Sequence, residues 1–167
     1  MLVPEAEPTL GDWRREHTWD GAHGMPAHVT LLYPFVDADA LDRRGAVDGA
    51  AAVLTRFPAF DVEFARVGRF PGAGATVLWL APEPSGPFLA MTEALVAGFP
   101  ERPPYAGTFA AIVPHLTVAL SPDLDLLDDL ERRMAPGLPI HARVGAAGLF
   151  EHGPGGWARR ATFPLRG

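Results

Sequence analysis

The sequence predicts an α+β fold of two lobes, in which antiparallel sheets line a central cleft. Two observations predict it. One order of elements, namely helix, short strand, helix and hairpin, can be followed twice along the 167 residues. In addition, the short strands at equivalent places in the two passes carry the same pattern, a histidine and a threonine separated by one apolar residue. We therefore expect a single domain, 1–167, with approximate halves 1–84 and 85–167.

The first half is predicted to begin with a polar helix over about 5–18, which leads into the strand that carries His28. A second helix is expected over about 38–57. Its expected cap is Asp37 or Asp39, its terminator is Pro58, and its apolar positions are Val47, Ala50, Leu54 and Phe57.

A hairpin follows this helix. Residues 60–67 alternate between apolar and polar types, which is typical of a strand with one buried face. The Pro-Gly-Ala-Gly segment 71–74 predicts the turn, and the apolar run 76–80 predicts the returning strand.

The second half repeats this order, starting with a helix near Ser85-Gly86-Pro87 that stops between Gly98 and Pro100. One face of this helix is apolar: Phe88, Met91, Leu95 and Phe99. After a loop rich in proline and glycine comes the strand that carries His115.

The last helix is predicted to be capped at Ser121-Pro122 and to end at Pro136-Gly137. We expect its inward positions to be Leu124, Leu127, Leu130 and Met134. A final hairpin of strands 140–150 and 157–163 is expected to turn at the glycine-rich segment 153–156.

The composition indicates a globular chain with a substantial core, since 48% of residues are hydrophobic and 20% are charged. There is no apolar run of membrane-spanning length and no basic-then-apolar leader, so we expect a soluble, cytoplasmic protein. The chain has no cysteine, which excludes disulfides and thiolate chemistry.

The charge distribution favours a small anionic ligand over a long one. Every basic residue except histidine is arginine, and the net charge of −6 argues against a broad surface for a polyanion. Positive charge is concentrated near the end of the chain, at Arg143, Arg159, Arg160 and Arg166, where it could steer an anionic substrate. A small nucleotide or an RNA terminus is the expected partner. We expect a monomer with no obligate protein partner.

The repeated motif is His28-Val29-Thr30-Leu31 and His115-Leu116-Thr117-Val118. Side chains alternate along a strand, so each copy presents an imidazole and a hydroxyl on one face. Two such pairs across a cleft would supply a general base, a general acid and two hydroxyl donors, enough to cleave a phosphodiester without a metal ion. The alternative is that both histidines are structural and tied to backbone carbonyls. The duplication favours catalysis.

Other candidates are weaker. Tyr105 or Phe109, in the loop before the second motif, could stack on a nucleobase or simply pack in the loop. Tyr33 is expected to pack or to lie at the rim. The remaining histidines lack a threonine two residues on and are interpreted as incidental: His17, His23, His141 and His152. Neither glycine run, 72–74 or 153–156, has phosphate-loop spacing.

On the stretches 26–35 and 114–118, the chain resembles the 2H phosphoesterase superfamily, and specifically its bacterial 2′-5′ RNA ligase-like members. The resemblance spans Val3 to Leu165. One departure is that only Met1-Leu2-Val3 precedes Pro4, where members usually open with a full apolar strand: here that strand is either very short or was lost to a misplaced start.

The resemblance implies a bilobal fold of two pseudo-symmetric antiparallel-sheet lobes with helices outside. It implies a phosphoesterase, independent of metal and cofactor, that opens 2′,3′-cyclic phosphates of RNA ends or nucleotides to 2′-phosphates, and that could run backwards to form a 2′-5′ linkage. His28 and His115 would be the acid and base, in an order set by the direction of reaction. Thr30 and Thr117 would bind the phosphate.

Two alternatives stay open. The first is a non-catalytic module that binds nucleotides or RNA in the same cleft. The net negative charge of the chain is compatible with this alternative. The second is a metal site on the histidines, which ranks last because neither motif contains a carboxylate.

Overall fold

The computed structural model describes residues 1–36, 45–102, 107 and 111–167. The described residues form five α-helices: α1 (Glu7–His17), α2 (Trp19–Ala22), α3 (Ala46–Leu54), α4 (Gly86–Gly98) and α5 (Leu124–Met134). They form six strands: β1 (Phe60–Pro71), β2 (Thr76–Glu83), β3 (Leu116–Ser121), β4 (Ile140–Val144), β5 (Ala146–Gly153) and β6 (Gly156–Pro164). Short 3₁₀ turns precede α1 (Pro4–Ala6) and follow α5 (Ala135–Gly137).

The predicted α+β class with antiparallel sheets is confirmed. One sheet has four strands in the order β3-β2-β1-β4, and the other pairs β5 with β6. The larger sheet takes two strands from each half of the chain, so the halves are joined through a shared sheet. α1 packs against β3, and α3 packs against α4. None of the described helices has the length and apolar character needed to cross a membrane.

The β1–β2 hairpin is longer than predicted, because its pairing continues to Pro71 opposite Thr76. Gly68 lies opposite Trp79, and a Cβ added at Gly68 would lie 2.2 Å from the indole ring. The missing side chain at Gly68 is therefore what lets the Trp79 ring lie flat across β1.

The single strand predicted over 140–150 is wrong. The chain divides at Gly145 into β4, which pairs with β1 in the larger sheet, and β5, which pairs with β6. The sequence of each piece is compatible with a strand, but it carries no information about which partner strand each piece meets. The turn predicted at 153–156 is confirmed, since Gly153 lies opposite Gly156.

The strands predicted around the two histidines are shorter than expected. In the first motif, pairing is limited to two single bridges, Leu2 with His28 and Val29 with Leu116. In the second, β3 begins at Leu116, directly after His115. Prolines flank both motifs and cannot donate to a ladder, which accounts for the short pairing. The backbone of Met1–Val3 nevertheless hydrogen-bonds to that of residues 27–29.

Helix α5 is capped by Asp123 and not by Ser121-Pro122 as predicted. The Asp123 carboxylate accepts from the backbone N–H groups of Asp125 (3.0 Å) and Leu126 (3.2 Å). Leu124, predicted to point inward, is exposed, because it starts the helix one turn before the core begins at Leu127. The other predicted inward positions, Leu127, Leu130 and Met134, are buried.

The helix predicted over 38–57 is helical over Ala46–Leu54 in its described part, so it ends before Phe57 and Pro58. The expected caps Asp37 and Asp39 lie outside the described residues, as do the two candidate stacking residues Tyr105 and Phe109.

Candidate active site

The two motifs lie side by side, not across the cleft from one another as expected. Val29 pairs with Leu116 in an antiparallel bridge, and both side chains are completely buried. In this register His28 lies opposite Thr117, and Thr30 lies opposite His115. Since neighbours along extended backbone point to opposite faces, burying the central residues turns the four flanking side chains outward together.

These four residues, hereafter the quartet, line one cleft of about 620 Å³. In the quartet each histidine faces a threonine across the pair and the other histidine along the diagonal. Diagonal neighbours of this kind are roughly 7–8 Å apart at the backbone, with side chains closer. That spacing leaves room for one tetrahedral phosphorus group between the two imidazoles.

Both histidines are held in the same tautomer by the same device. His28 Nδ1 hydrogen-bonds to the carbonyl of Pro26 (2.9 Å), and His115 Nδ1 to that of Val113 (2.8 Å). A carbonyl oxygen only accepts, so Nδ1 carries the proton in each neutral ring. Each histidine therefore makes the hydrogen bond to a backbone carbonyl that a structural histidine would make. This bond uses Nδ1 only, so the lone pair of Nε2 can still accept a proton.

Burial keeps both imidazoles neutral. It lowers the pKa of His28 to about 3, helped by the positive charge of the nearby Arg14. Burial also lowers the pKa of His115 below its ordinary value. Around His115 the burial comes from two stacked rings, Phe70 and Trp79, whose centroids lie 5.0 and 6.1 Å from the imidazole. At neutral pH both Nε2 atoms are thus proton acceptors.

Arg14, on the core side of the quartet, was missed by the sequence analysis. It is a buried residue of α1, and its guanidinium donates to the carbonyl of Thr117 and, at 3.5 Å, to that of Pro26. The Pro26 carbonyl is also the one that orients His28. Arg14 therefore connects the two motifs. The sequence could have indicated this, because Arg14 lies one helical turn after Leu10 and therefore on the buried face of α1.

A second feature is a group of four rings, Trp19, His23, His152 and Trp157, hereafter the aromatic cluster; all but His23 line the cleft. Neighbouring ring centroids lie between 4.3 and 6.1 Å apart. The sequence analysis interpreted both histidines as incidental. The predicted hairpin register could have indicated the contact between two of these rings, because His152 lies directly opposite Trp157 across the glycine turn.

The arginines that were expected to steer an anionic substrate are not among the described residues that line the cleft. Among described residues, the charged side chains that line it are Asp20 and Glu151, and no arginine does so. Arg143 pairs with Asp61 at 3.0 Å, and Arg160 with Glu151 at 3.2 Å.

Tyr33 lies at the rim of the cleft and is 55% exposed. Within the described part of the chain, no three His, Asp or Glu side chains are grouped as a metal site requires.

Comparison with known proteins gives a consistent result. The sequence model of the 2′-5′ RNA ligase superfamily matches residues 2–156. A search of curated proteins found no significant match.

Several solved structures share the fold. TT0787 of Thermus thermophilus superposes with a TM-score of 0.59 at 22% identity, covering 84% of this chain and 79% of its own. LigT of E. coli, in complex with ATP, superposes with a TM-score of 0.58 at 17% identity, covering 100% of this chain and 94% of LigT. A protein described as a phosphoesterase superposes with a TM-score of 0.59 at 18% identity, covering 100% of this chain and 95% of its own.

Proposed function

Because the chain belongs to the 2′-5′ RNA ligase superfamily, we propose that it is a phosphoesterase that opens 2′,3′-cyclic phosphates of nucleotides or RNA ends to 2′-phosphates. The observation that carries the proposal is the register of Val29 with Leu116, which gathers two imidazoles and two hydroxyls on one face of the cleft. LigT, which shares the fold, has been solved with ATP, NADP⁺ and 3′-AMP. Nucleotide ligands in that relative support a nucleotide in this cleft.

In the proposed reaction, water attacks phosphorus in line with the bond to the 3′-oxygen. One imidazole accepts a proton from the water through Nε2, while the other, protonated, donates to the departing 3′-oxygen. A P–O bond to water forms, the P–O3′ bond breaks, and the products are a 2′-phosphate and a 3′-hydroxyl. With a 5′-hydroxyl of RNA in place of water, the same attack on phosphorus and the same cleavage of the P–O3′ bond form a 2′-5′ linkage and leave a 3′-hydroxyl.

Thr30 and Thr117 are proposed to donate hydrogen bonds to the non-bridging oxygens, where charge accumulates in the transition state. Since both imidazoles are neutral in the free protein, the general acid must gain its proton as substrate binds. A bound phosphodiester anion favours this uptake, because a negative charge nearby raises the pKa of an imidazole.

The test is turnover of adenosine 2′,3′-cyclic phosphate and of a short RNA with a cyclic phosphate end, in chelator, by the wild type, His28→Ala and His115→Ala. We expect each substitution to lower kcat by about 10²–10⁴-fold. Turnover that survives both substitutions would overturn the mechanism. The exposed His141, outside the cleft, provides the control His141→Ala, which should behave as the wild type.

A binding module that uses the same cleft is the second candidate. One observation favours it: a histidine whose pKa is lowered to about 3 is a weak base at neutral pH. Binding of 2′-AMP without turnover of any cyclic substrate between pH 5 and 8 would select this candidate.

A further inference from the structure

The aromatic cluster exposes rings that a folded protein would ordinarily bury. Trp19 is 54% exposed, and His23 and His152 are exposed as well. An indole left half in water inside a cleft gives up much of the stabilisation its burial would provide. The same rings are suited to stacking, because Trp19 contacts its three neighbours at centroid distances of 4.3, 4.7 and 6.1 Å.

The aromatic cluster is built from two segments that are far apart in sequence and fastened by backbone contacts. The backbone N–H of Trp157 donates to the carbonyl of His23 (2.9 Å), and His23 Nδ1 donates to the carbonyl of Trp19 (2.7 Å). Gly156, at φ +93°, allows the approach, since a Cβ there would lie 2.5 Å from the His23 carbonyl oxygen. The rings are therefore positioned before any ligand arrives, which reduces the entropic cost of binding.

The aromatic cluster and the quartet belong to the same cleft. Trp19, His152 and Trp157 line it together with His28 and His115. His23 is five residues before His28, so their backbones lie within about 18 Å of each other. The cleft volume of about 620 Å³ lies in the range of roughly 300–1,000 Å³ that is typical of small-ligand sites.

Charge determines which part of a nucleotide this end of the cleft can take. Asp20 and Glu151 are the charged side chains that line the cleft among described residues; Glu151 is paired with Arg160, and the negative charge of Asp20 disfavours additional phosphates beside it. With no described arginine there, the binding energy has to come mainly from stacking and apolar contact. Stacking of a base on an aromatic side chain contributes about 1–3 kcal/mol.

From these observations we infer that the aromatic cluster, with Trp19 as its exposed face, is the site that binds the nucleobase of the substrate. The inference rests on the proposed function and extends it: the substrate is a nucleoside 2′,3′-cyclic monophosphate or the equivalent RNA end, held by its base. A sugar cyclic phosphate without a base is a poor substrate.

The kinetic test compares two substrates that differ only in the base, adenosine 2′,3′-cyclic phosphate and methyl riboside 2′,3′-cyclic phosphate. Trp19→Ala should raise KM for the nucleotide by about 10- to 100-fold with kcat little changed, and Trp19→Phe should retain most of the affinity. On the base-free substrate, the wild type and Trp19→Ala should be equal. An equal effect of Trp19→Ala on both substrates, or no effect on either, overturns the inference.

Tyr33 provides the matched control. It is as exposed as Trp19, lies at the rim of the same cleft and is not part of the aromatic cluster. Tyr33→Ala should raise KM for the nucleotide much less than Trp19→Ala does. If Tyr33→Ala raises KM and Trp19→Ala does not, the base binds at the other end of the cleft and the inference fails.

A binding measurement separates this inference from the proposed function. Calorimetric titration with 2′-AMP needs no turnover, so weaker binding by Trp19→Ala supports the aromatic cluster as a base site even if no cyclic phosphate is cleaved. Unchanged binding overturns the base site even if the cyclic phosphate is cleaved. His152→Ala, at a second exposed ring, should weaken binding in the same direction, which guards against a folding defect particular to Trp19→Ala.

Discussion

Val29 and Leu116 pair in antiparallel register at the base of the cleft, and each is completely buried. Their burial turns the residues on either side of them outward as the quartet. A slip of the register by one residue would exchange the faces and bury the imidazoles. The alignment of the quartet therefore depends on two buried apolar side chains that carry no catalytic group.

Truncating one of these two side chains should weaken both the fold and the site. We expect Leu116→Ala to lower the free energy of unfolding by about 2–5 kcal/mol, because it leaves a cavity in a fully buried position. The matched control is Leu120→Ala on the same strand, where the side chain is 48% exposed. Denaturant unfolding should show a change of less than about 0.5 kcal/mol for this control. Equal losses for the two variants would contradict the assigned roles.

The sequence predicted those elements whose evidence is local. The apolar spacing in α4 and α5 and the alternation in β1 located these elements within a few residues, because a helix or strand buries one face at a fixed period. The alternation within each motif likewise predicted that histidine and threonine share a face. These parts of the site depend only on neighbours in the chain.

The parts that the sequence did not predict depend on contacts between distant segments. Nothing near Gly145 indicates that β4 pairs with β1 while β5 pairs with β6. The aromatic cluster forms only because the β5–β6 turn meets the end of α2, where the backbone of Trp157 binds that of His23. Arg14 resembles a surface charge until α1 is packed against β3.

The two threonines can be tested without changing side-chain shape. Thr30→Val and Thr117→Val each remove one hydroxyl donor from the quartet, and we expect each to lower kcat on a 2′,3′-cyclic nucleotide by about 10²–10³-fold. Thr55→Val is the control, because the Thr55 hydroxyl lies at the exposed end of α3 and donates to the carbonyl of Ala51 (2.7 Å). Steady-state kinetics should show this control at the wild-type rate. Loss confined to KM would assign the threonines to binding alone.

The pH dependence of the reaction follows from the lowered pKa values. The free enzyme is active when one imidazole is protonated and the other is neutral, a state that requires a pH above about 3, the pKa of His28, and below the pKa of His115, itself under its ordinary 6.5. We therefore expect kcat/KM to fall with rising pH from a point below about 6.5.

The same reasoning predicts that kcat has its alkaline limb at higher pH than kcat/KM. A bound phosphodiester adds a negative charge beside the imidazoles, and this raises the pKa of the general acid in the complex. Initial rates from pH 4 to 9, at low and at saturating substrate, measure both limbs. Coincident limbs would show that substrate binding does not protonate the site. A limb in kcat/KM well above 6.5 would show that the pKa of His115 is not lowered in the free enzyme.

Arg14 is expected to act as a positioning residue, since its guanidinium reaches the carbonyl that orients His28 and the backbone of Thr117 at once. A lysine ammonium retains the charge but lacks the planar fork that spans both carbonyls. We expect Arg14→Lys to lower kcat by about 10- to 100-fold with KM nearly unchanged, by analogy with the outer partners that orient metal-binding histidines. Arg15→Lys, at the exposed neighbouring position, is the matched control and should keep full activity.

An electrostatic measurement distinguishes positioning from a purely structural role of Arg14. Its positive charge is the second cause of the lowered pKa of His28, after burial. Removing the charge in Arg14→Met should therefore raise the pKa of His28, whereas Arg14→Lys should leave it low. Titration of the His28 ring protons by NMR in the two variants measures this difference. If the ring titrates at the same pH in Arg14→Met and the wild type, Arg14 supports the fold alone and its charge does not act on the quartet.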